Sequence, residues 1–401
     1  MKEPASIIHV ITSLNLGGAE TMLCQVLEHT DRTKFSPVVV SLRPEAALGS
    51  RVRAAGVPLH CLNMDASPAH FLPGLRKLKA IMREVQPAVV QTWMYHADLL
   101  GALAARSLKP RVPVLWNIQH GTMDPRTTKR ASLWLTRMLA PLSRWLPDRI
   151  TVCSRASIET HAQLGYARSK MLHIPNGADC ARFIPDPTAC HSIRSELGIP
   201  QNAPVIGMAG RNDPQKDYPT LFAAIREFQK SDKTTHFVAC GNRVSPNDPE
   251  LAALRAQCSA PERIHLLGAR FDMPRVYAAF DLVTLSSAYG EGMPVTLCEA
   301  LACGLPAVVT NVGDSASVIG SCGKVVSPRN PTALAAAWGE LLVLPKSAFS
   351  KMEKDARKRA EQQFSLPEIT RNYERLHSEL IAASQQKTRR NITIPYPCPA
   401  V

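Results

Sequence analysis

The stretch of residues 281–310 constrains the fold more than any other part of the chain. A short apolar run at residues 281–285 predicts a buried strand, and a glycine-containing loop follows it. The next segment predicts a helix from Pro294, because proline suits the first turn of a helix, and Gly304 is a residue that ends one. A second apolar run follows at residues 305–310. This order of strand, loop, helix and strand is the unit of a parallel α/β sheet.

The same alternation of strands and helices recurs along most of the chain and predicts doubly wound parallel sheets. A chain of 401 residues exceeds what one hydrophobic core usually organises, so we expect two Rossmann-like domains. The predicted boundaries are residues 1–182 for the first domain, 191–365 for the second, 366–384 for a C-terminal helix and 385–401 for a disordered tail.

Composition narrows the class of protein and the class of partner. Apolar residues make up 45% and charged residues 20%, no apolar run is long enough to span a membrane, and residues 7–11 are too short for a signal peptide, so we expect a cytoplasmic protein. Eleven cysteines without a C-x-x-C pair predict neither a disulfide nor a structural metal. The net charge of +14 predicts an anionic partner, and no nucleic-acid-binding motif accompanies it.

Two glutamates stand on either side of a predicted anion site. The N-terminus of the helix after residue 293 favours an anion, because its first N–H groups lack partners and the helix dipole is positive there. Glu291 precedes this helix and Glu299 lies on it, roughly 7.5 Å further along the axis. Carboxylates repel phosphates but accept hydrogen bonds from hydroxyls. A ligand that has hydroxyls on both sides of a phosphate is a nucleotide sugar.

These residues resemble the signature of a known family. The spacing Glu291-x7-Glu299, continued by Ala-Leu-Ala-Cys-Gly-Leu to Pro306, is similar to the signature of the large retaining glycosyltransferase family with two Rossmann-like domains, GT-B fold, family 4 type. Gly210-Arg211-x4-Lys216-Asp217 and the segment 174–179 resemble two further elements of that family. The resemblance covers about residues 7–380. It implies two domains that face a cleft, with a C-terminal helix that can cross back to the first domain.

The resemblance also implies roles for individual residues. Glu291 would hold hydroxyls of the donor sugar, and Glu299 would hold the ribose of the nucleotide. Arg211 and Lys216 would neutralise the donor diphosphate, which two fixed cations and a helix N-terminus can do without a metal. The resemblance implies that the loop of Gly292, Met293 and Pro294 contacts the sugar and the phosphate. It also implies that the loop of Gly17 and Gly18 contacts the donor phosphate and that His120 contacts the donor sugar.

Residues 126–155 form the most basic stretch of the chain, with seven Lys or Arg residues against the single acid Asp148. Its apolar residues recur at helical spacing, and Trp134 and Trp145 lie among them. A basic amphipathic helix with tryptophans fits an anionic membrane surface. The alternative is a helix that packs its apolar face on the sheet and leaves a basic face in solvent.

The function that follows is transfer of a sugar, with retention of configuration, from a nucleotide-diphosphate sugar to an acceptor hydroxyl. A lipid-linked or polysaccharide acceptor in bacterial surface glycan synthesis is the favoured hypothesis, because the charge suggests a polyanion or the inner face of the membrane. Two alternatives remain open. Glu291 and Glu299 could be the acid and nucleophile of a glycoside hydrolase, or the chain could bind sugar nucleotides without catalysis. An oxidoreductase would need a G-x-G-x-x-G loop, which is missing.

Overall fold

The computed structural model describes residues 3–65, 67–121 and 130–392, and it begins with a seven-stranded parallel sheet. The strand order is β3-β2-β1-β4-β5-β6-β7. The strands are β1 (Ala5–Ile11), β2 (Phe35–Ser41), β3 (Leu59–Cys61), β4 (Val89–Trp93), β5 (Val114–Ile118), β6 (Arg149–Val152) and β7 (Met171–His173). The helices of this domain are α1 (Gly18–His29), α2 (Gly49–Ala54), α3 (Phe71–Val85), α4 (Tyr95–Ala105), α5 (Arg130–Leu142) and α6 (Arg155–Gln163).

A six-stranded parallel sheet in the order β10-β9-β8-β11-β12-β13 forms the second domain. Its strands are β8 (Val205–Ala209), β9 (His236–Cys240), β10 (Ile264–Leu266), β11 (Leu282–Leu285), β12 (Ala307–Thr310) and β13 (Gly323–Val326). The helices that follow the first domain are α7 (Pro187–Glu196), α8 (Tyr218–Phe228), α9 (Pro249–Ala256), α10 (Met273–Ala278), α11 (Val295–Ala302), α12 (Ser315–Ile319), α13 (Pro331–Leu342), α14 (Lys346–Gln363) and α15 (Leu366–Ile392). The predicted fold class, two Rossmann-like doubly wound domains, is confirmed.

The strand order of each sheet fixes where a ligand can bind. In both sheets the order reverses once, between β1 and β4 in the first domain and between β8 and β11 in the second. Neighbouring connections leave the sheet in opposite directions at such a point, so a crevice opens at the carboxyl ends of the two strands. The loops that follow β1, β8 and β11 contain Gly17, Arg211 and Glu291, three of the predicted site residues.

Helix α15 packs on the first domain although it follows the second domain in sequence. Its buried residues Tyr373, Leu376 and Leu380 share a hydrophobic cluster with Ile7 and other residues of the first sheet. Buried polar contacts accompany this packing. The amide of Asn117 donates to the Tyr373 hydroxyl at 3.2 Å, and a ring nitrogen of His377 lies 2.7 Å from the side-chain oxygen of Gln91.

The structure corrects two predicted boundaries. Residues 385–392 continue α15, whereas a disordered tail was predicted from residue 385, and residues 393–401 lie outside the described part. The helix that was predicted to begin at Pro294 begins at Val295, with Pro294 as the N-cap in an extended conformation. Pro294 is therefore the last residue of the loop and not part of the first helical turn.

Helix α5 packs its apolar face on the first domain, which was the alternative to a membrane-binding apolar face. Leu135 and Leu139 are buried in the core of the first domain, so the apolar face of the helix is covered by protein and not free for a membrane. Trp134 on this helix is 67% exposed, and Trp145, which follows the helix, is 59% exposed. Arg126 and Lys129, which belong to the predicted basic stretch, lie outside the described residues. Within the described ranges, no helix combines the length and apolar character needed to span a membrane.

Candidate functional site

A cavity of about 560 Å³ lies between the carboxyl ends of the two sheets. The first domain contributes the loop of Gly17 and Gly18 together with Arg51, and the second domain contributes the loops after β8 and helix α11. Predicted site residues that line this cavity are Gly17, Gly18, Arg211, Lys216 and Glu299. The topology therefore assembles residues that are almost three hundred positions apart in the chain.

Lys216 and Glu291 form a buried ion pair. The Lys216 ammonium donates to the Glu291 carboxylate at 2.6 Å, and the Ser287 hydroxyl donates to the same oxygen at 2.6 Å. Burial acts to raise the pKa of Glu291, but the charge and the hydrogen bonds of Lys216 and Ser287 outweigh it, so the pKa is lowered. Lys216 lines the cavity and Glu291 is joined to the cavity through it. The sequence placed these two side chains in separate roles and did not predict that they bind each other.

Glu299 has the opposite electrostatic environment. It lies in the apolar helix α11 with 7% of its surface exposed, and the Tyr277 hydroxyl donates to its carboxylate at 3.3 Å. Burial raises the pKa of Glu299 to about 7, and the hydrogen bond from Tyr277 and the charge of Arg51 only partly oppose this effect. A carboxyl group of this kind is suited to hydrogen bonds with ligand hydroxyls in the cavity. Tyr277 was not singled out from the sequence, because a tyrosine in an apolar helix carries no local signal of this contact.

Arg211 is held in place beside the cavity. Its guanidinium donates to the carboxylate of Asp213 and, at 3.0 Å, to the side-chain oxygen of Gln215. The side chain remains 44% exposed, and it lines the cavity together with Lys216. Two cations at one end of the cavity and Glu299 at another suit a ligand that joins an anionic group to hydroxyls.

The loop that contains Glu291 and Gly292 is clamped between glycines. A Cβ on Gly121 of the first domain would lie 1.7 Å from the carbonyl oxygen of Glu291, and one on Gly313 would lie 2.2 Å from the same atom. A Cβ on Gly292 would lie 2.7 Å from the Cys153 sulfur. Gly121 therefore lets the first domain approach the Glu291 backbone, Gly292 leaves room for the Cys153 side chain, and Gly313 lets its own loop pack on Glu291 within the second domain. Gly313 also has a φ of +57°, which favours glycine.

His120 lies beside this contact and has an unsatisfied ring nitrogen. Its Nδ1 is buried and has no hydrogen-bond partner among the described residues, while its backbone carbonyl accepts a bond from Ser157 at 2.8 Å. Burial lowers the pKa of His120, and the nearby Glu291 carboxylate only partly opposes this. A buried nitrogen without a partner points to a ligand or a water that completes it.

Met293 connects the domains as well, while Pro294 beside it is the N-cap of α11. The Asn176 side-chain amide donates to the Met293 carbonyl at 2.8 Å, and the Asn176 backbone N–H points at the Met293 sulfur at 3.2 Å. Met293 is 5% exposed. The resemblance of residues 174–179 assigned no role to Asn176, so its interdomain contact was not predicted.

Asp314 gives a second contact that the sequence did not show. Its carboxylate, on the second domain, accepts hydrogen bonds from the backbone N–H groups of Arg155 at 2.8 Å and Ala156 at 3.2 Å. These are the first residues of α6 in the first domain, so Asp314 acts as a helix cap that comes from the other domain. A partner this far away in sequence leaves no local pattern.

The loop of Gly17 and Gly18 precedes α1 at the edge of the cavity. Gly17 is the N-cap in an extended conformation, and a Cβ there would lie 2.4 Å from the Glu20 carboxylate. Glu20 accepts a hydrogen bond from Ser13 at 3.2 Å, and burial raises its pKa. In the parts of the chain that the structure covers, no group of three or more His, Cys, Asp or Glu side chains is placed to hold a metal ion.

Each of the two domains matches the sequence model of a known family. Residues 16–182 match the sequence model of the family described as Glycosyltransferase Family 4, and residues 203–343 match that of Glycosyl transferases group 1. The two matches together span most of the chain.

Curated relatives and solved structures agree with these matches. The chain is 29% identical to the UDP-Gal:alpha-D-GlcNAc-diphosphoundecaprenol alpha-1,3-galactosyltransferase of Escherichia coli, over 66% of this chain and 68% of that protein. It is 29% identical to the D-inositol 3-phosphate glycosyltransferase of Xylanimonas cellulosilytica, over 76% of each. The fold is similar to that of Anabaena HepE in complex with UDP-glucose, with a TM-score of 0.81 and 20% identity over 93% of this chain and 99% of that chain.

Proposed function

The chain belongs to the family 4 type of glycosyltransferase with the GT-B fold, and we propose that it moves a sugar from a nucleotide-diphosphate sugar to an acceptor hydroxyl. The observation that carries the proposal is the single cavity that Arg211, Lys216, Glu299 and the Gly17 loop line together. The diphosphate lies against Arg211 and Lys216, and Glu299 accepts hydrogen bonds from the ribose. We further propose retention of configuration and no metal requirement.

The chemical argument rests on the charge that develops during transfer. When the bond between sugar and diphosphate breaks, negative charge grows on the leaving group, and fixed cations beside it stabilise the transition state. Lys216 is anchored by Glu291, so its ammonium has a defined position before the donor binds. Arg211 is anchored by Asp213 and Gln215 in the same way. The contact that we propose for the sugar from the first domain is His120, because its buried Nδ1 has no hydrogen-bond partner in the described part of the chain.

A glycoside hydrolase would use the same two glutamates differently. The pKa of Glu299 is raised and that of Glu291 is lowered, which is the pattern of a general acid and a nucleophile. The Lys216 ammonium, however, occupies the Glu291 carboxylate and only Glu299 lines the cavity, which favours the transferase. A protein that binds sugar nucleotides without catalysis remains the second alternative.

A thermal-shift titration with UDP, GDP, ADP and NAD separates these functions. A ligand that binds only the folded state raises the melting temperature. We expect one nucleoside diphosphate to do so with the wild type, and to lose its effect with Glu299→Ala and with the double variant Lys216→Met/Glu291→Gln. The double variant removes the cation without leaving Glu291 charged and unpaired. A shift with none of the four ligands would argue for a hydrolase.

Turnover distinguishes the enzyme from a binding protein and tests retention. With the donor identified by the titration, release of the nucleoside diphosphate should rise when an acceptor is added, and NMR of the product should show the anomeric configuration of the donor sugar. Binding without release under any acceptor would support a non-catalytic protein. Inversion at the anomeric carbon would contradict the retaining mechanism.

We propose a lipid-linked acceptor in bacterial surface glycan synthesis. The similarity to an enzyme named for a diphosphoundecaprenol acceptor supports this, as does the net charge of +14. The protein would then contact the inner face of the membrane as a peripheral protein. The test is transfer to an undecaprenyl-diphosphate sugar compared with transfer to the free sugar. Equal rates with both would contradict a requirement for the lipid.

The exposed face of α5 is the surface that we propose for this membrane contact. Because its apolar face is buried, the contact must use Arg130, Trp134 and Arg137, which lie on one exposed side of the helix. The double variant Trp134→Ala/Arg137→Gln should bind vesicles of anionic phospholipid several-fold more weakly than the wild type in a sedimentation assay at low salt. Wild-type protein that does not sediment with such vesicles would contradict the proposal.

A further inference from the structure

A second cavity, of about 870 Å³, lies at the other end of the first sheet from the interdomain cavity. The residues that line it stand at the amino ends of neighbouring strands. Arg111 precedes β5, Arg149 is the first residue of β6, and Lys170 precedes β7. Parallel strands bring their amino ends to one edge, so these cations converge there, and Arg106 joins them from the end of α4.

Positive charge dominates this basic pocket, which we define by Arg106, Arg111, Arg144, Arg149 and Lys170. Asp148 and Glu379 are the acidic residues that line it. Asp148 is already engaged, because its carboxylate accepts bonds from the backbone N–H of Val114 at 3.0 Å and from Arg111 at 3.4 Å. Within the described residues, neither Arg106 nor Arg144 forms an ion pair. The pocket therefore holds more positive charge than its acids neutralise.

Lys170 shows that the cations affect one another. Its ammonium is fixed by hydrogen bonds to the carbonyl oxygens of Arg144 at 2.6 Å and Pro147 at 2.7 Å. Burial lowers the pKa of Lys170, and the positive charges of Arg111, Arg149 and Arg106 lower it further, with Asp148 opposing them. Cations that crowd together in this way are stabilised by an anion between them.

Most of the remaining lining is apolar. Leu376 and Leu380 of α15 form one wall, and Trp145, 59% exposed, stands at the edge. A ligand that fits this lining combines an anionic group with an apolar or ring-shaped part. Such a ligand would also bridge α15 to the strands of the first domain.

We propose that the basic pocket is a binding site for a phosphate-bearing ligand, separate from the donor cleft. The proposal does not depend on the glycosyltransferase activity, because none of its residues lines the interdomain cavity. The phosphate can come from the head group of an anionic phospholipid or from a soluble phosphorylated molecule. Phosphate oxygens would accept hydrogen bonds from Arg106 and Arg144, whose guanidinium groups lack a carboxylate partner in the described part of the chain.

Inorganic pyrophosphate tests the site in solution, with the tryptophan fluorescence of the full chain as the readout. We expect a saturable change in the wild type at low salt and its loss in Trp145→Phe. The double variant Arg106→Gln/Arg144→Gln should weaken the apparent affinity about tenfold or more, because two hydrogen bonds to a charged group are removed. Arg137→Gln, an exposed change outside the pocket, should leave the titration as in the wild type.

Vesicles of phosphatidic acid separate the two sources of phosphate. If they change the Trp145 signal and pyrophosphate competes with them, the ligand is a lipid head group. If pyrophosphate binds and the vesicles do not compete, the ligand is a soluble phosphate compound. The proposal is overturned if the fluorescence of the wild type responds neither to pyrophosphate nor to the vesicles. It is also overturned if the double variant binds pyrophosphate as tightly as the wild type.

Discussion

The buried carboxyl group of Glu299 carries a stability cost. Its pKa is about 7 in the folded chain and near 4.5 when unfolded, so between these pH values the unfolded state gives up a proton that the folded state keeps. Stability therefore falls as the pH rises through this interval. Glu299→Gln removes the cost, and we expect it to raise the free energy of unfolding at pH 8 by up to about 3 kcal/mol.

Chemical denaturation at pH 8 and at pH 4 checks this prediction. The gain of Glu299→Gln should shrink as the pH falls and vanish near pH 4, where both states of the wild type are protonated. Glu262→Gln, a change at a side chain that is 72% exposed, serves as the control and should show no such trend. A gain for Glu299→Gln that does not vary with pH would show that the buried carboxyl group is not its cause.

The pair of Lys216 and Glu291 leads to a different residue-level prediction. Removing one partner of a buried ion pair leaves an uncompensated charge, so Lys216→Met should cost about 3 kcal/mol of stability. Lys216→Met/Glu291→Gln should recover most of this loss in thermal and denaturant unfolding, but not donor binding. If the double variant were as unstable as Lys216→Met, the pair would not be what stabilises this site.

Sequence reasoning singled out candidate site residues from local signals. Glu299 stood out in an apolar helix, and Arg211 was assigned through the family resemblance of residues 210–217; the structure has both residues lining the interdomain cavity. It could not find that Lys216 binds Glu291 or that Tyr277 binds Glu299, because such contacts depend on how separate loops fold against each other.

At the scale of elements, the glycine contact between the domains makes Gly121→Ala informative. Its methyl group would overlap the Glu291 carbonyl, so the loops after β5 and β11 would have to separate. We expect unchanged circular dichroism, a larger radius of gyration in solution scattering and weaker nucleotide binding. Gly339→Ala, in helix α13 with its nearest contact at 3.6 Å, is the control and should alter none of these. If Gly121→Ala has the same solution scattering and the same nucleotide affinity as the wild type, the contact does not hold the two loops together.

Two buried neutral histidines lie where α15 packs on the first sheet, His377 on the helix and His9 on β1. Burial lowers the pKa of His377 to about 4, and burial together with the charges of His377 and Arg32 lowers that of His9. Below pH 6.5 the unfolded chain binds protons that these folded residues do not, so stability falls as the pH drops toward 4. His377 accounts for up to about 3 kcal/mol of this loss.

Denaturant unfolding between pH 7 and pH 4 measures the contribution of His377. His377→Gln can still donate to Gln91 but does not titrate, so its stability should fall less steeply with acid than that of the wild type. His191→Gln, at an exposed position, is the matched control. If the stability of His377→Gln and that of the wild type fall equally steeply with pH, His377 is not a source of the acid sensitivity.

For whole elements, the sequence predicted the order of strands and helices well, because apolar runs and helix caps are local signals. The end of α15 was misplaced because residues 385–392 have a polar and basic composition that does not distinguish a helix from a tail. The cap that Asp314 gives to α6 was invisible because α6 already has its own N-cap, Ser154.

For the whole molecule, the contacts between the domains are concentrated beside the cavity. The Asn176 contact with Met293, the Asp314 cap on α6 and the glycine contact around Glu291 all border the loops that face the cleft. Helix α15 adds a link on the side of the first sheet. A ligand in the cavity that Arg211, Lys216 and Glu299 line would also meet the Gly17 loop and Arg51 of the first domain, and would therefore bear on both domains at once.

The most direct test of the central claim is calorimetric titration of the wild type and Arg211→Gln with nucleoside diphosphates and the matching monophosphates. If Arg211 and Lys216 hold a diphosphate, one diphosphate should bind the wild type about tenfold or more tightly than its monophosphate, and Arg211→Gln should remove most of that difference. Equal affinities for the two forms, or no binding of any diphosphate, would contradict the assignment of this cleft to a nucleotide-sugar donor.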